Sequence, residues 1–129
     1  MKNSSNIDQI KLLNIQEFAS FCYLITTMIA IYLTQYRKHV IRNEDTVLTP
    51  EEARKLNILN HLMILILTGV FLYVNQVTLQ SARENQEDTT LLSLQNFASV
   101  LTTIGAIIVL YVVIQDSTNN AGSNENPEI

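Results

Sequence analysis

A histidine and three uncharged polar side chains stand out in a long charge-free stretch. Asn57, His61, Thr68 and Asn75 are four, seven and seven residues apart. At about 100° per residue that spacing gathers them within roughly 40° of one another on one face of a helix. His61 is the most reactive of the four: a histidine can titrate near neutral pH, bind a metal or gate a pore. Metal chemistry needs co-ligands at fixed spacing, and neither HExxH nor HxxxH occurs in the chain. The simpler role for His61 is a hydrogen bond to a neighbouring helix or to the interface. Asn57, Thr68 and Asn75 can line a hydrophilic path or act as polar glue between helices, and glue is the commoner use.

Nothing else in the chain assembles a reaction. There is no phosphate-binding glycine loop, no paired carboxylate inside the apolar stretches, and no nucleophile with a visible base. Thr102-Thr103-Ile104-Gly105 begins like a potassium-channel filter, but Ala106-Ile107-Ile108 continues it as helix where Tyr-Gly is required. Cys22 is the sole cysteine, which excludes an intrachain disulfide and a cysteine metal cluster. The expectation is a non-enzymatic protein with no metal and no cofactor. A formal charge of −4 and a pI near 5 argue against nucleic acid as a partner.

The elements that hold these residues are membrane helices. Hydrophobic residues make up 47% of the 129, an ordinary share, but charge is nearly absent from three long blocks and crowded between them. Phe18 to Tyr36 is charge-free and gives roughly 28 Å of helix, enough for a hydrocarbon core of about 30 Å. Its length and its Thr34-Gln35-Tyr36-Arg37-Lys38 ending favour a retained helix over a cleaved signal peptide. Tyr32 and Tyr36 suit the aromatic interfacial belt. Before it, Ile7, Ile10 and Leu13 at helical spacing predict an amphipathic lead-in, with Ser5 to Asp8 as a capping box.

The second helix starts at Thr49-Pro50-Glu51-Glu52, where Thr49 caps, Pro50 suits the first turn and the two acids meet the helix dipole. The third has Asp88, Thr89 or Thr90 as its cap, and its Ile/Val-rich stretch is helical because lipid leaves the backbone no other way to satisfy itself. The predicted fold is therefore all-α: one integral membrane domain over residues 1–115, with three transmembrane helices near 6–41, 50–82 and 89–115. A disordered polar tail is expected over 116–129.

Helices 1 and 3 echo each other. Residues 12–20 (LLNIQEFAS) recur as residues 91–99 (LLSLQNFAS), identical at six of nine positions. After a three-residue shift, Thr26-Thr27 is answered by Thr102-Thr103. Such a repeat fits two parallel helices separated by one antiparallel helix. Each carries a small or polar face: Gln16, Ser20, Tyr23, Thr27, Ala30 and Thr34 on helix 1, and Gln95, Ser99, Thr102 and Ala106 on helix 3. Ala98, Thr102 and Ala106, with Gly105 beside them, form a small-xxx-small run suited to close helix approach. The simplest packing turns all three stripes inward.

Five of the eight Lys and Arg residues fall between Arg37 and Lys55. The positive-inside rule then puts this first loop and the carboxyl terminus in the cytoplasm and the amino terminus outside. Three helices in this orientation resemble one class of phage holins in topology alone, and the tail carries none of the basic residues usual there. Two functions follow as expectations: an accessory subunit or assembly factor that associates with other membrane subunits, or a homo-oligomeric pore lined by the helix 2 stripe. The bilayer is the partner in either case.

Overall fold

The computed structural model describes residues 2–122, with side chains from residue 6 to residue 119. It is an integral membrane bundle of three helices: α1 (Lys2–Ile41), α2 (Pro50–Glu84) and α3 (Thr90–Gly122). Each is long and apolar enough to cross a bilayer. No strand occurs among the described residues.

The helix ends follow from local chemistry. Thr49 accepts from the Glu52 N–H at 3.2 Å, and the Glu52 carboxylate accepts from the Thr49 N–H at 3.3 Å, a complete capping box. At α3 the backbone of Thr89 takes the first helical bond, from Ser93 N–H. Asp88 supplies the capping side chain there, accepting from the N–H and the hydroxyl of Thr90. The ends of α1 and α2 are closed without glycine. Asn43 and Gln86 adopt φ of 57° and 58°. In each case the 5→2 and 6→1 bonds of a Schellman motif form: Asn43 N–H to Val40 and Glu44 N–H to His39, then Gln86 N–H to Arg83 and Glu87 N–H to Ala82.

Two boundaries differ from those read in the sequence. α1 already runs from Lys2, so Ser5 lies inside the helix and does not cap it. Lys2 to Ser5 contain no Gly or Pro to stop a helix nucleated downstream. α3 continues through Asp116 to Gly122, past the expected start of the tail, because elongation of an existing helix costs little until Gly122. Residues 123–129 of that tail lie outside the described residues.

α2 is the centre of the bundle: it packs on α1 and on α3, which do not pack on each other. The α1 seam is heptad-spaced on both sides. Ala19, Thr26 and Leu33 are buried on α1, and Ala53, Asn60, Leu67 and Val74 on α2. The Tyr23 ring meets Phe71 edge-on, with centroids 6.3 Å apart. Among the described residues α3 contributes no fully buried side chain and docks through half-buried ones, polar (Asn96, Ser99, Thr103) and apolar (Val100, Leu110, Val113).

Register fixes depth. With Tyr23 level with Phe71, the ends of the charge-free stretch of α1, Phe18 and Tyr36, lie level with Gln76 and Ile58 of α2. The hydrogen bonds from α3 to Asn75 place the same levels near Asn96 and Ile114 of α3. All three helices therefore share one apolar slab about 28 Å thick. Asn57 and Asn75 sit at its two edges, Thr68 near its middle, and His61 about 4.5 Å inside the edge nearer the first loop.

Candidate functional site: the polar face of the central helix

The polar residues of α2 divide by depth and by partner. Asn75 is tied to α3. Its amide donates to Ser99 Oγ, and its carbonyl oxygen accepts from Gln95 Nε2 at 3.1 Å. One turn further on, Thr103 Oγ1 donates to the Ser99 carbonyl at 2.9 Å and lies 3.5 Å from the carbonyl of Thr68, the outer limit of a hydrogen bond. Asn75, Ser99 and Gln95 thus form one interhelical network at the slab edge.

The other singled-out residues bond within their own helices. His61 Nδ1 is 2.9 Å from the Asn57 carbonyl one turn back. Thr68 is 4% exposed, and its hydroxyl donates to Leu65 O at 2.8 Å. Ser20 donates to Gln16 O, Thr27 to Tyr23 O and Thr102 to Ala98 O, and all three are exposed. Asn57 is half-buried and contributes its backbone carbonyl to His61.

The stripes do not all turn inward. The α1 seam of α2 (Asn60, Leu67) and its α3 side (Thr68, Asn75) are neighbouring faces, so α1 and α3 flank one side of α2 with a cleft between them. Tyr23 of α1, His61, Ile64 and Thr68 of α2, and Thr102, Ala106 and Val109 of α3 line this cleft of about 230 Å³. A shallower hollow beside it is lined by Ser20, Tyr23, Leu24, Thr27 and Phe71. Ala98 is exposed, Thr102 edges the cleft, and a Cβ added at Gly105 would meet nothing within 4 Å. The expected close approach at the small-residue run of α3 is therefore not made within this chain.

Two buried groups lie outside the stripe read from the sequence. Thr26 and Asn60 are each only 1% exposed and face one another's helices in the α1–α2 seam. Thr26 donates to Tyr23 O at 2.6 Å, whereas Asn60 Oδ1 is buried without a hydrogen-bond partner, as is Asn96 Oδ1. Among the described residues no group of three His, Cys, Asp or Glu side chains is placed to hold a metal ion.

No protein-family model, curated protein or solved structure matches the chain.

Proposed function

We propose that this small membrane protein acts without catalysis, as an accessory subunit or assembly factor of a larger membrane complex. The observation that carries this reading is the unoccupied small face of α3. Ala98, Thr102 and Gly105 lie outside both packed seams, and the space beside Gly105 is open. Small side chains in lipid give up dispersion contacts unless another helix comes close, and such faces are the usual contact surface between transmembrane helices. The basic first loop favours an orientation with that loop and the carboxyl terminus cytoplasmic.

A pore lined by the α2 stripe is the weaker reading. Asn75 is engaged by α3 and Thr68 is buried, so water could reach the whole stripe only if the α2–α3 seam opened.

Affinity purification in mild detergent, followed by native mass measurement, separates the two. The wild-type chain is expected to bring down a defined membrane partner, and Gly105→Leu to lose it while keeping its own three-helix fold. Gly105→Leu adds no clash inside the chain, so retention of the partner by that variant, or the absence of any partner, refutes the reading. Ion leakage from liposomes holding the purified protein alone would favour the pore.

A further inference from the structure

The cleft between α1 and α3 lies on the same side of the bundle as unpaired cations at the first-loop end. Three of the four carboxylates between Glu44 and Glu52 are already engaged. Glu44 meets His39 Nδ1 at 2.5 Å, Glu51 meets Lys55 Nζ at 3.3 Å, and Glu52 completes the capping box. Arg37, Lys38, Arg42 and Arg54 have no carboxylate within 4.0 Å among the described residues. Five Lys and Arg stand against four carboxylates in residues 37–55, with Asp116 of α3 at the same end, so the positive character is local to these four unpaired cations.

Two of the cations lie on the cleft side. Arg54 is seven residues before His61 and fourteen before Thr68, which puts it within about 40° of both cleft-lining residues. Lys38 is fifteen residues after Tyr23, the cleft-lining residue of α1, and about 60° from it around the helix. Depth agrees with phase. The cleft bottoms at Thr68, near the middle of the slab, and Arg54 lies about 21 Å up the helix from it. Half a hydrocarbon core of about 30 Å plus part of the headgroup layer spans that distance.

The cleft wall suits hydrocarbon. The hydroxyls of Thr68 and Thr102 and the Nδ1 of His61 are bonded to their own helices, so the threonines present methyl groups. Its volume of about 230 Å³, spread over roughly 10 Å between Thr68 and His61, gives a cross-section on the order of 20 Å². That is the width of a single hydrocarbon chain and far less than a helix some 10 Å across.

We propose that this cleft seats an acyl chain of an anionic phospholipid from the leaflet on the first-loop side, with its phosphate held at Lys38 and Arg54. The test is native mass spectrometry of the full chain in neutral detergent, titrated with dioleoylphosphatidylglycerol, dioleoylphosphatidylcholine or glycerol 1-phosphate. Phosphatidylglycerol is expected to bind on the order of 25-fold more tightly than phosphatidylcholine, about fivefold for each basic side chain. Lys38→Gln with Arg54→Gln should abolish that preference, whereas Lys11→Gln with Arg83→Gln, the same charge change at the other end, should preserve it. Ala106→Leu, which narrows the cleft, should weaken both lipids.

Equal binding of the two lipids, or equal loss in both double variants, overturns the proposal. Glycerol 1-phosphate binding as tightly as phosphatidylglycerol also overturns it, since the acyl chain would then contribute nothing. A lipid-free dimer abolished by Ala106→Leu overturns it in favour of a second copy.

Discussion

Replacing Asn75 by leucine removes two interhelical hydrogen bonds while roughly keeping side-chain volume. The lost bonds are Asn75 Nδ2 to Ser99 Oγ and Gln95 Nε2 to Asn75 Oδ1. Interhelical hydrogen bonds in membranes average about 0.6 kcal/mol and reach about 1.7 kcal/mol, so the pair should be worth about 1.2 kcal/mol. The groups left behind have substitutes: Gln95 is exposed at the slab edge, where water can take its amide, and Ser99 can donate to its own preceding turn as Ser20 does. The orphaning cost of about 1–3 kcal/mol for a buried polar group is therefore largely avoided. The expected loss is about 1–1.5 kcal/mol, measured by reversible unfolding in mixed micelles of increasing SDS fraction. A double-mutant cycle with Ser99→Ala should give a coupling near 0.6 kcal/mol. If Asn75→Leu is neutral and couples to neither Ser99 nor Gln95, Asn75 faces lipid or water, and the seam described for α2 and α3 is wrong.

Three further changes probe other parts of the chain. Asn60→Leu removes a buried oxygen that has no partner, so it should be neutral or stabilise by up to about 1–2 kcal/mol in the same unfolding assay; a clear loss would reveal a hidden hydrogen-bond partner. Gln86→Gly relieves a left-handed backbone position at the end of α2 and should stabilise by about 1 kcal/mol, with no change in helix content by circular dichroism. Asp88 is held below the ordinary carboxylate range, first by the Thr90 N–H and then by the Thr90 hydroxyl. Its folded pKa lies below its unfolded value, so its support for the start of α3 is present above the unfolded pKa and is lost as pH falls through the folded one. Carboxyl chemical shifts followed through an acid titration should show the depressed midpoint, and Thr90→Ala should raise it toward the normal value.

The parts of this fold legible in the sequence are those set by local chemistry. Charge-free length located the three spans, and Thr49-Pro50-Glu51-Glu52 declared the start of α2 because a capping box is complete within four residues. Asn75, Ser99 and Gln95 each stood on a visible polar face, but their pairing depends on the register between two helices, which neither helix encodes alone. Asn60 escaped notice for a different reason. It lies on the heptad of Ala53, Leu67 and Val74, and its partner stripe is Ala19, Thr26 and Leu33. That seven-residue spacing was present in both helices, but a search for polar neighbours follows Asn57, His61 and Thr68 and passes over it. The three stripes do not close on one another, because the sequence of one helix carries no information on where its neighbours sit. Whether three faces converge depends on the angle between the two seams of α2, and here those seams are neighbours.

Depth then gives the polar residues of α2 their different meanings. The edge positions Asn57 and Asn75 have water within reach, so polarity there costs little, and Asn75 can spend its amide on α3. His61 Nδ1 and the Thr68 hydroxyl lie inside the slab and bond to their own helix, which leaves the cleft between α1 and α3 mostly apolar. Asn60 lies at a similar depth to His61 but is sealed in the α1 seam, where Oδ1 finds no donor. The α2–α3 seam thus adds interhelical hydrogen bonds to its apolar contacts, whereas the α1–α2 seam holds small and apolar packing around an unsatisfied amide.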